Sequence, residues 1–124
     1  MLKIAAFVFL FCLYAAYSII VYTKGTEKKF TYSNAEWQKI NNGKELFQQY
    51  NCTSCHQLYG LGGYLGPELT TAYSDKLRGV LYMQTFLKNG GPRMPNFHFK
   101  NEEINDIVSF LKYVDSTAVS YKQK

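Results

Sequence analysis

Cysteine and histidine are scarce in this chain: three cysteines and two histidines among 124 residues. Three of those five fall in one short run, which leaves only Cys12 and His98 elsewhere, with Cys12 inside an apolar stretch. A structural zinc site needs about four such ligands, so that class is excluded. A thioredoxin-type thiol pair is excluded as well, because it requires a βαβ context and no such pattern is visible. No internal repeat and no convincing strand pattern occurs. A one-sided charge is also missing from the part that can fold. From Asn34 to Asp115 there are eight basic residues (Lys39, Lys44, Lys76, Arg78, Lys88, Arg93, Lys100, Lys112) and eight acidic ones (Glu36, Glu45, Glu68, Asp75, Glu102, Glu103, Asp106, Asp115). The net charge of +5 therefore lies outside this span. With no basic stripe and no recognisable module, nucleic-acid binding has no support.

Charge disappears altogether between Lys3 and Lys24. Twenty residues at about 1.5 Å each make a helix about 30 Å long, the thickness of a bilayer's hydrocarbon core. Tyr14, Tyr17 and Tyr22 suit its outer interface. A cleaved leader is the rival reading, and Ala16-Tyr17-Ser18 has small-x-small form. The apolar stretch, however, exceeds the usual leader core of about 7–15 residues. The expectation is an uncleaved transmembrane anchor over 1–23, a polar linker over 24–33 and one small domain over 34–124. The lysines that follow the anchor (Lys24, Lys28, Lys29) suit the phosphates of a lipid bilayer.

The most specific run is Cys52-Thr53-Ser54-Cys55-His56, a C-x-x-C-H pattern that reads as a covalent attachment site for one haem c. Two thiols at this spacing reach the two vinyl groups of one porphyrin, and the next residue, His56, lies where its imidazole binds the iron. Permanent attachment suits electron transfer rather than cofactor exchange. The motif also settles an orientation conflict. The lysines after the anchor outnumber Lys3 before it, which by charge bias alone places the domain in the cytoplasm. Haem c is attached outside the cytoplasmic membrane, so the domain is expected on the periplasmic side of the inner membrane.

The rest of the chain reads as helical. Ser33-Asn34-Ala35-Glu36 has capping-box form. A short helix carries Trp37 and Ile40 on one face, and Asn41-Asn42-Gly43 is expected to interrupt it. Leu46, Phe47 and Tyr50 form the stripe of a helix that leads into the motif. Gly60 to Pro67, with four glycines in eight residues, reads as loop. A third helix is expected from about Asp75 to Lys88, with Leu77, Val80, Leu81 and Leu87 inward, ended by Asn89-Gly90-Gly91-Pro92. The last begins near Asn101, a candidate N-cap, with Glu102 and Glu103 in its first turn and Ile104, Ile107, Val108, Leu111 and Val114 at helical spacing. The fold class is all-α. A domain of about 90 residues is marginal by itself. Haem packed against Phe47, Leu65, Leu69, Phe97 and Phe110 would complete its core, and the haem-free chain is expected to be largely unfolded.

An electron carrier usually has a second strong axial ligand. Met94 is the leading candidate, because Gly91-Pro92-Arg93-Met94-Pro95 makes a fixed irregular loop and a thioether stabilises Fe(II). Met83, mid-helix, reads as packing. His98 competes at four residues' distance, and Met1 lies beyond the anchor. The carbonyl of Pro67 is placed to accept from the other ring nitrogen of His56, although an ordinary loop proline explains it equally. Arg93, Tyr64 and Tyr73 are candidates for the haem propionates.

These residues resemble a known family. Gly43, Phe47, Cys52-x-x-Cys55-His56, Pro67, Met94 and an aromatic-bearing last helix resemble the class I cytochrome c fold, in which the first and last helices of the domain cross near the glycine. Asn51 to Leu69, Arg93-Met94-Pro95-Asn96-Phe97 and Glu103 to Tyr113 are similar to the small cytochrome c subunit of bacterial nitric oxide reductase. The chain departs from that pattern at Leu61, Gly63 and Gly66, the last usually alanine, and is shorter between Tyr73 and Pro92. The resemblance implies a small subunit that takes electrons from a soluble cytochrome or cupredoxin donor. It would pass them to a large membrane subunit with haem b, where nitric oxide is reduced, and would hold no catalytic site itself. A free-standing anchored shuttle serving another terminal reductase or oxidase is the alternative, and a gas sensor with a labile sixth position is a third. Small Ala15-Ala16 and polar Ser18 in the anchor favour helix–helix packing, and so the first.

Overall fold

A computed structural model describes residues 2–25 and 31–118. Its contacts divide the chain into two compact units, Met1–Thr31 and Tyr32–Lys124. The first holds α1 (Leu2–Ile20), which passes into a π-turn at Val21–Gly25. Lys3–Lys24 is long and apolar enough to cross a membrane. The side chains from Lys3 to Tyr14 are all exposed, as expected of a helix that needs a lipid or protein surround. At its end Thr23 Oγ1 donates back to the Ile19 carbonyl at 2.7 Å.

The second unit is built on α2 (Asn34–Gln49) and α4 (Asn101–Thr117). Ser33 caps α2: the Glu36 N–H donates to its hydroxyl at 3.3 Å, and its own N–H donates to the Glu36 carboxylate at 2.8 Å. The Ser33 N–H and hydroxyl both donate to the Glu36 carboxylate and hold it below the usual carboxylate range, the backbone bond contributing most. Contrary to the sequence expectation, Asn41-Asn42-Gly43 does not interrupt this helix. Gly43 is buried at the crossing with α4, where a Cβ would fall 2.0 Å from the backbone oxygen of Asp106. Close helix packing thus overrides the weak helix propensity of Asn and Gly. The core lies between these two helices. Ile40 and Phe47 of α2 meet Ile104, Ile107, Val108, Phe110, Leu111 and Val114 of α4, with the Phe47 and Phe110 rings 5.4 Å apart. Phe99 closes one side against Tyr50 at 4.6 Å, and the Trp37 and Tyr113 rings meet at a tilt, 5.4 Å apart.

Three further expectations need correction. First, α3 runs Gly79–Asn89 and does not start at Asp75. The Asp75 carboxylate accepts from the N–H groups of Leu77 (2.8 Å) and Arg78 (3.1 Å), which makes a turn where the helix was expected. Leu77, in that turn, is 95% exposed; within α3 Leu81 is 78% exposed, whereas Val80 is half-buried and Met83 and Leu87 are buried. Second, a two-stranded antiparallel hairpin is present, β1 (Gln57–Leu58) with β2 (Leu61–Gly62). Tyr59 and Gly60 both have positive φ, 53° and 75°, the pattern of a two-residue primed turn. Third, α4 starts at Asn101 as expected, but the N-cap is Lys100 rather than Asn101, and its N–H donates to the Glu103 carboxylate at 2.7 Å. The expected stop of α3 is observed at Gly90, φ 72°, whose N–H reaches the Phe86 carbonyl at 2.8 Å. Residues 119–124 of the C-terminal tail lie outside the described residues.

Candidate functional site around the C-x-x-C-H turn

At the end of α2, Asn51 takes a left-handed conformation (φ 50°), and a 3₁₀ turn, Cys52–Ser54, comes at once after it. Asparagine tolerates that conformation better than most residues. The N–H groups of Cys55 (3.2 Å) and His56 (2.9 Å) both reach the Cys52 carbonyl. In such a turn side chains three apart lie above one another, so Cys52 and Cys55 share one side. Both are half-buried free thiols. Burial pushes the Cys52 thiol up to about 11, so the packed turn disfavours its thiolate.

The glycine-rich segment folds back over this turn. The Gly63 N–H donates to the Thr53 carbonyl at 2.9 Å and the Gly66 N–H to the Cys55 carbonyl at 2.8 Å. Gly66 lies flat against the imidazole of His56, where a Cβ would be 2.4 Å from Cε1 and 2.5 Å from Nδ1. The next residue supplies the ring's partner: His56 Nδ1 is 2.8 Å from the Pro67 carbonyl oxygen. Since a carbonyl only accepts, Nδ1 carries the proton and Nε2 keeps its lone pair for a metal. Gln57, next to His56, keeps a buried Nε2 with no partner among the described residues.

Met94 sits in a doubly closed turn. Its N–H donates to the Gly91 carbonyl (3.2 Å), and the Gly91 N–H donates to the Met94 carbonyl (2.8 Å). It is half-buried against the core. His98 is exposed, with φ 56°, and its N–H is turned to the Asn96 side chain at 2.8 Å. Met83 is a core residue at 7% exposure. Tyr64, 88% exposed, and Arg93, also exposed, stand at the surface. Tyr73 is half-buried beneath Lys112, whose Nζ is 5.8 Å from the ring centroid. Of the residues expected to pack on a cofactor, Phe47 and Phe110 are buried and Leu69 and Phe97 partly so, but Leu65 is 54% exposed.

The donor set fits a haem c: two thiols on one side of a turn, an imidazole with an oriented free nitrogen, and a cradle that admits no Cβ. Among the described residues no group of three or more His, Cys, Asp and Glu side chains converges on a metal ion. A shallow open cleft of about 260 Å³ on α2 and α4, lined by Asn42, Glu45, Leu46, Gln49, Glu103 and Asp106, contains none of the motif residues. Two functional candidates escaped the sequence reading: Glu68 and Thr70, which hydrogen-bond each other beside Pro67.

A helical domain whose first and last helices cross at a glycine above such a turn is that of a c-type cytochrome. Residues 38–111 match the profile described as cytochrome C oxidase, cbb3-type, subunit III, and the chain belongs to that family. It is also similar to proteins named as the C subunit of nitric oxide reductase. It is 27% identical to that of Stutzerimonas stutzeri over 74% of this chain and 69% of the relative. The figures are 24% for Halomonas halodenitrificans, over 63% and 60%, and 28% for Cereibacter sphaeroides, over 59% and 58%. The match to the latter two thus spans less than two thirds of their own length.

Proposed function

We propose that this protein is a membrane-anchored monohaem cytochrome. It would receive electrons from a soluble cytochrome or cupredoxin and pass them to a haem b-bearing catalytic subunit of a nitric oxide reductase-like complex. The observation that carries the reading is the His56–Pro67 hydrogen bond of 2.8 Å, which leaves one imidazole nitrogen free on the residue that follows two free thiols. The names of the relatives supply the complex. Residues 1–23 span the inner membrane and 24–33 link the anchor to a periplasmic domain over 34–124. Cys52 and Cys55 would hold the group as thioethers and His56 would ligate the iron, its ring fixed by the Pro67 carbonyl. Met94 would provide the second iron ligand from its closed turn, and the exposed Tyr64 and Arg93 would meet the propionates. When bound, haem c supplies reversible one-electron transfer between Fe(III) and Fe(II). Were His56 and Met94 both to hold the iron, a gas would find no free place on it, and the chemistry would fall to the partner.

The test is gentle detergent purification of the tagged chain from its own membranes, followed by haem and iron analysis. Haem b and non-haem iron arriving in fixed ratio with haem c, together with nitric oxide turnover, is the expected outcome. Haem c alone on a stable monomer replaces this reading with the anchored shuttle.

A further inference from the structure

The bonds around His56 do not end at Pro67. Three run between the motif strand and the segment Gly66–Thr70. The Gly66 N–H donates to the Cys55 carbonyl at 2.8 Å and the Leu69 N–H to the Gln57 carbonyl at 2.9 Å. The Tyr59 N–H donates to Thr70 Oγ1 at 2.6 Å. Thr70 then turns its hydroxyl and its N–H, the latter at 2.9 Å, onto one oxygen of Glu68, Oε1. Thr70 is 8% exposed, the buried polar residue among those described. Tyr59, left-handed in the hairpin turn, also bonds through its phenol to Thr117 Oγ1 at 2.5 Å. A closed clasp results: motif strand, Tyr59, Thr70, Glu68, Pro67 and back to His56.

We infer that Glu68 and Thr70 are positioning residues whose clasp with Tyr59 aims the Pro67 carbonyl at His56 Nδ1 and so sets electron donation by the axial imidazole. The inference rests on the reading of His56 as ligand of a haem c. Proline has a fixed φ, and the residue before it here is glycine, the least constrained of all. The direction of the Pro67 carbonyl is therefore governed from its C-terminal side, by Glu68 and Thr70. A hydrogen bond weakens steeply as its angle opens. Because Thr70 is buried, its hydroxyl bonds are not readily exchanged for water. A firm Nδ1–H···O bond raises ligand basicity and favours Fe(III); loosening it raises the reduction potential.

The experiment uses the full haem-loaded chain in detergent and compares Thr70→Val, Thr70→Ser and Glu68→Gln. Ile40→Val serves as a purely structural control, since Ile40 is a buried core residue of α2. Two quantities are read: the midpoint potential by redox titration, and the solvent-exchange rate of the His56 Nδ1 proton by NMR of the reduced protein. Thr70→Val is expected to raise the potential and accelerate exchange at least tenfold, Glu68→Gln to do the same more weakly, and Thr70→Ser to restore both. Ile40→Val is expected to lower the melting temperature and move neither. If Thr70→Val and Glu68→Gln melt earlier but leave potential and exchange at wild-type values, the inference is overturned. Should Thr70→Val fail to load haem, Glu68→Gln decides alone by the same criterion. A wild-type chain that carries no covalent haem would instead remove the functional reading beneath.

Discussion

Gly43 and Asp106 touch backbone to backbone: a methyl group on Gly43 would lie 2.0 Å from the Asp106 carbonyl oxygen and 2.9 Å from the Ile107 nitrogen. No rotamer change relieves that contact, because both neighbours are main chain. Gly43→Ala must therefore drive α2 and α4 apart along the line on which Ile40, Phe47, Ile104 and Ile107 pack. A loss of about 3 kcal/mol, the upper end for overpacking, is expected in urea unfolding of the haem-loaded protein. The gain in helix propensity offsets only about 1 kcal/mol of the strain. An alanine variant as stable as wild type would mean that the crossing is looser than the structure has it.

The same pair marks where sequence reading works. The Ser33–Glu36 cap, the periodic face of α4 and the C-x-x-C-H run are contiguous patterns, and local chemistry determines them. Asn41-Asn42-Gly43 misled because three weak helix formers in a row outweigh their neighbours locally, whereas the contact that holds them helical comes from a residue more than sixty positions away. Asp75 misled for the opposite reason: its carboxylate satisfies the N–H groups of Leu77 and Arg78 in a turn, and periodicity alone does not register that competition. The hairpin has strands of two residues, too short for any alternation to appear. At the site, the motif could be read directly, but the Glu68–Thr70–Tyr59 clasp depends on a fold-back of eleven residues and left no local signal.

On the proposed reading, replacing Cys52 and Cys55 together with alanine would remove the covalent link and, with it, the group that completes the core. Loss of near-ultraviolet circular dichroism and of a cooperative thermal transition is the expected outcome, with helical signal from α1 retained in detergent. A helical domain of about 90 residues is marginal by itself, so loss of a packed cofactor should tell on its tertiary structure. A double variant that melts cooperatively, with wild-type tertiary signals, would sink the expectation.

Met94→Ala tests the sixth ligand. The closed Gly91–Met94 turn survives, because its two hydrogen bonds are main-chain. Fold and haem content should therefore hold. The thioether's preference for Fe(II) is lost, so the potential should fall, and the reduced form should bind carbon monoxide where wild type does not. His98→Ala should change neither, since His98 is exposed and its backbone is tied to Asn96. Carbon monoxide binding in the His98 variant, with none in the Met94 variant, would reverse the assignment.

Gly66→Ala asks how tightly the imidazole is seated. The added Cβ would stand 2.4 Å from Cε1 of His56, 2.5 Å from Nδ1 and 2.9 Å from Nε2, so it meets the whole ring rather than one flexible end. The ring has two ways to give. It can tilt and lose the 2.8 Å bond to Pro67, or the Gly66–Pro67 segment can lift and stretch the 2.8 Å bond from the Gly66 N–H to the Cys55 carbonyl. Either movement weakens a bond that orients the ligand, and both predict a higher reduction potential and a displaced His56 ring-proton resonance, with covalent haem still attached. A variant with wild-type potential and resonances would show that the segment yields freely and that Gly66 is not what seats the histidine.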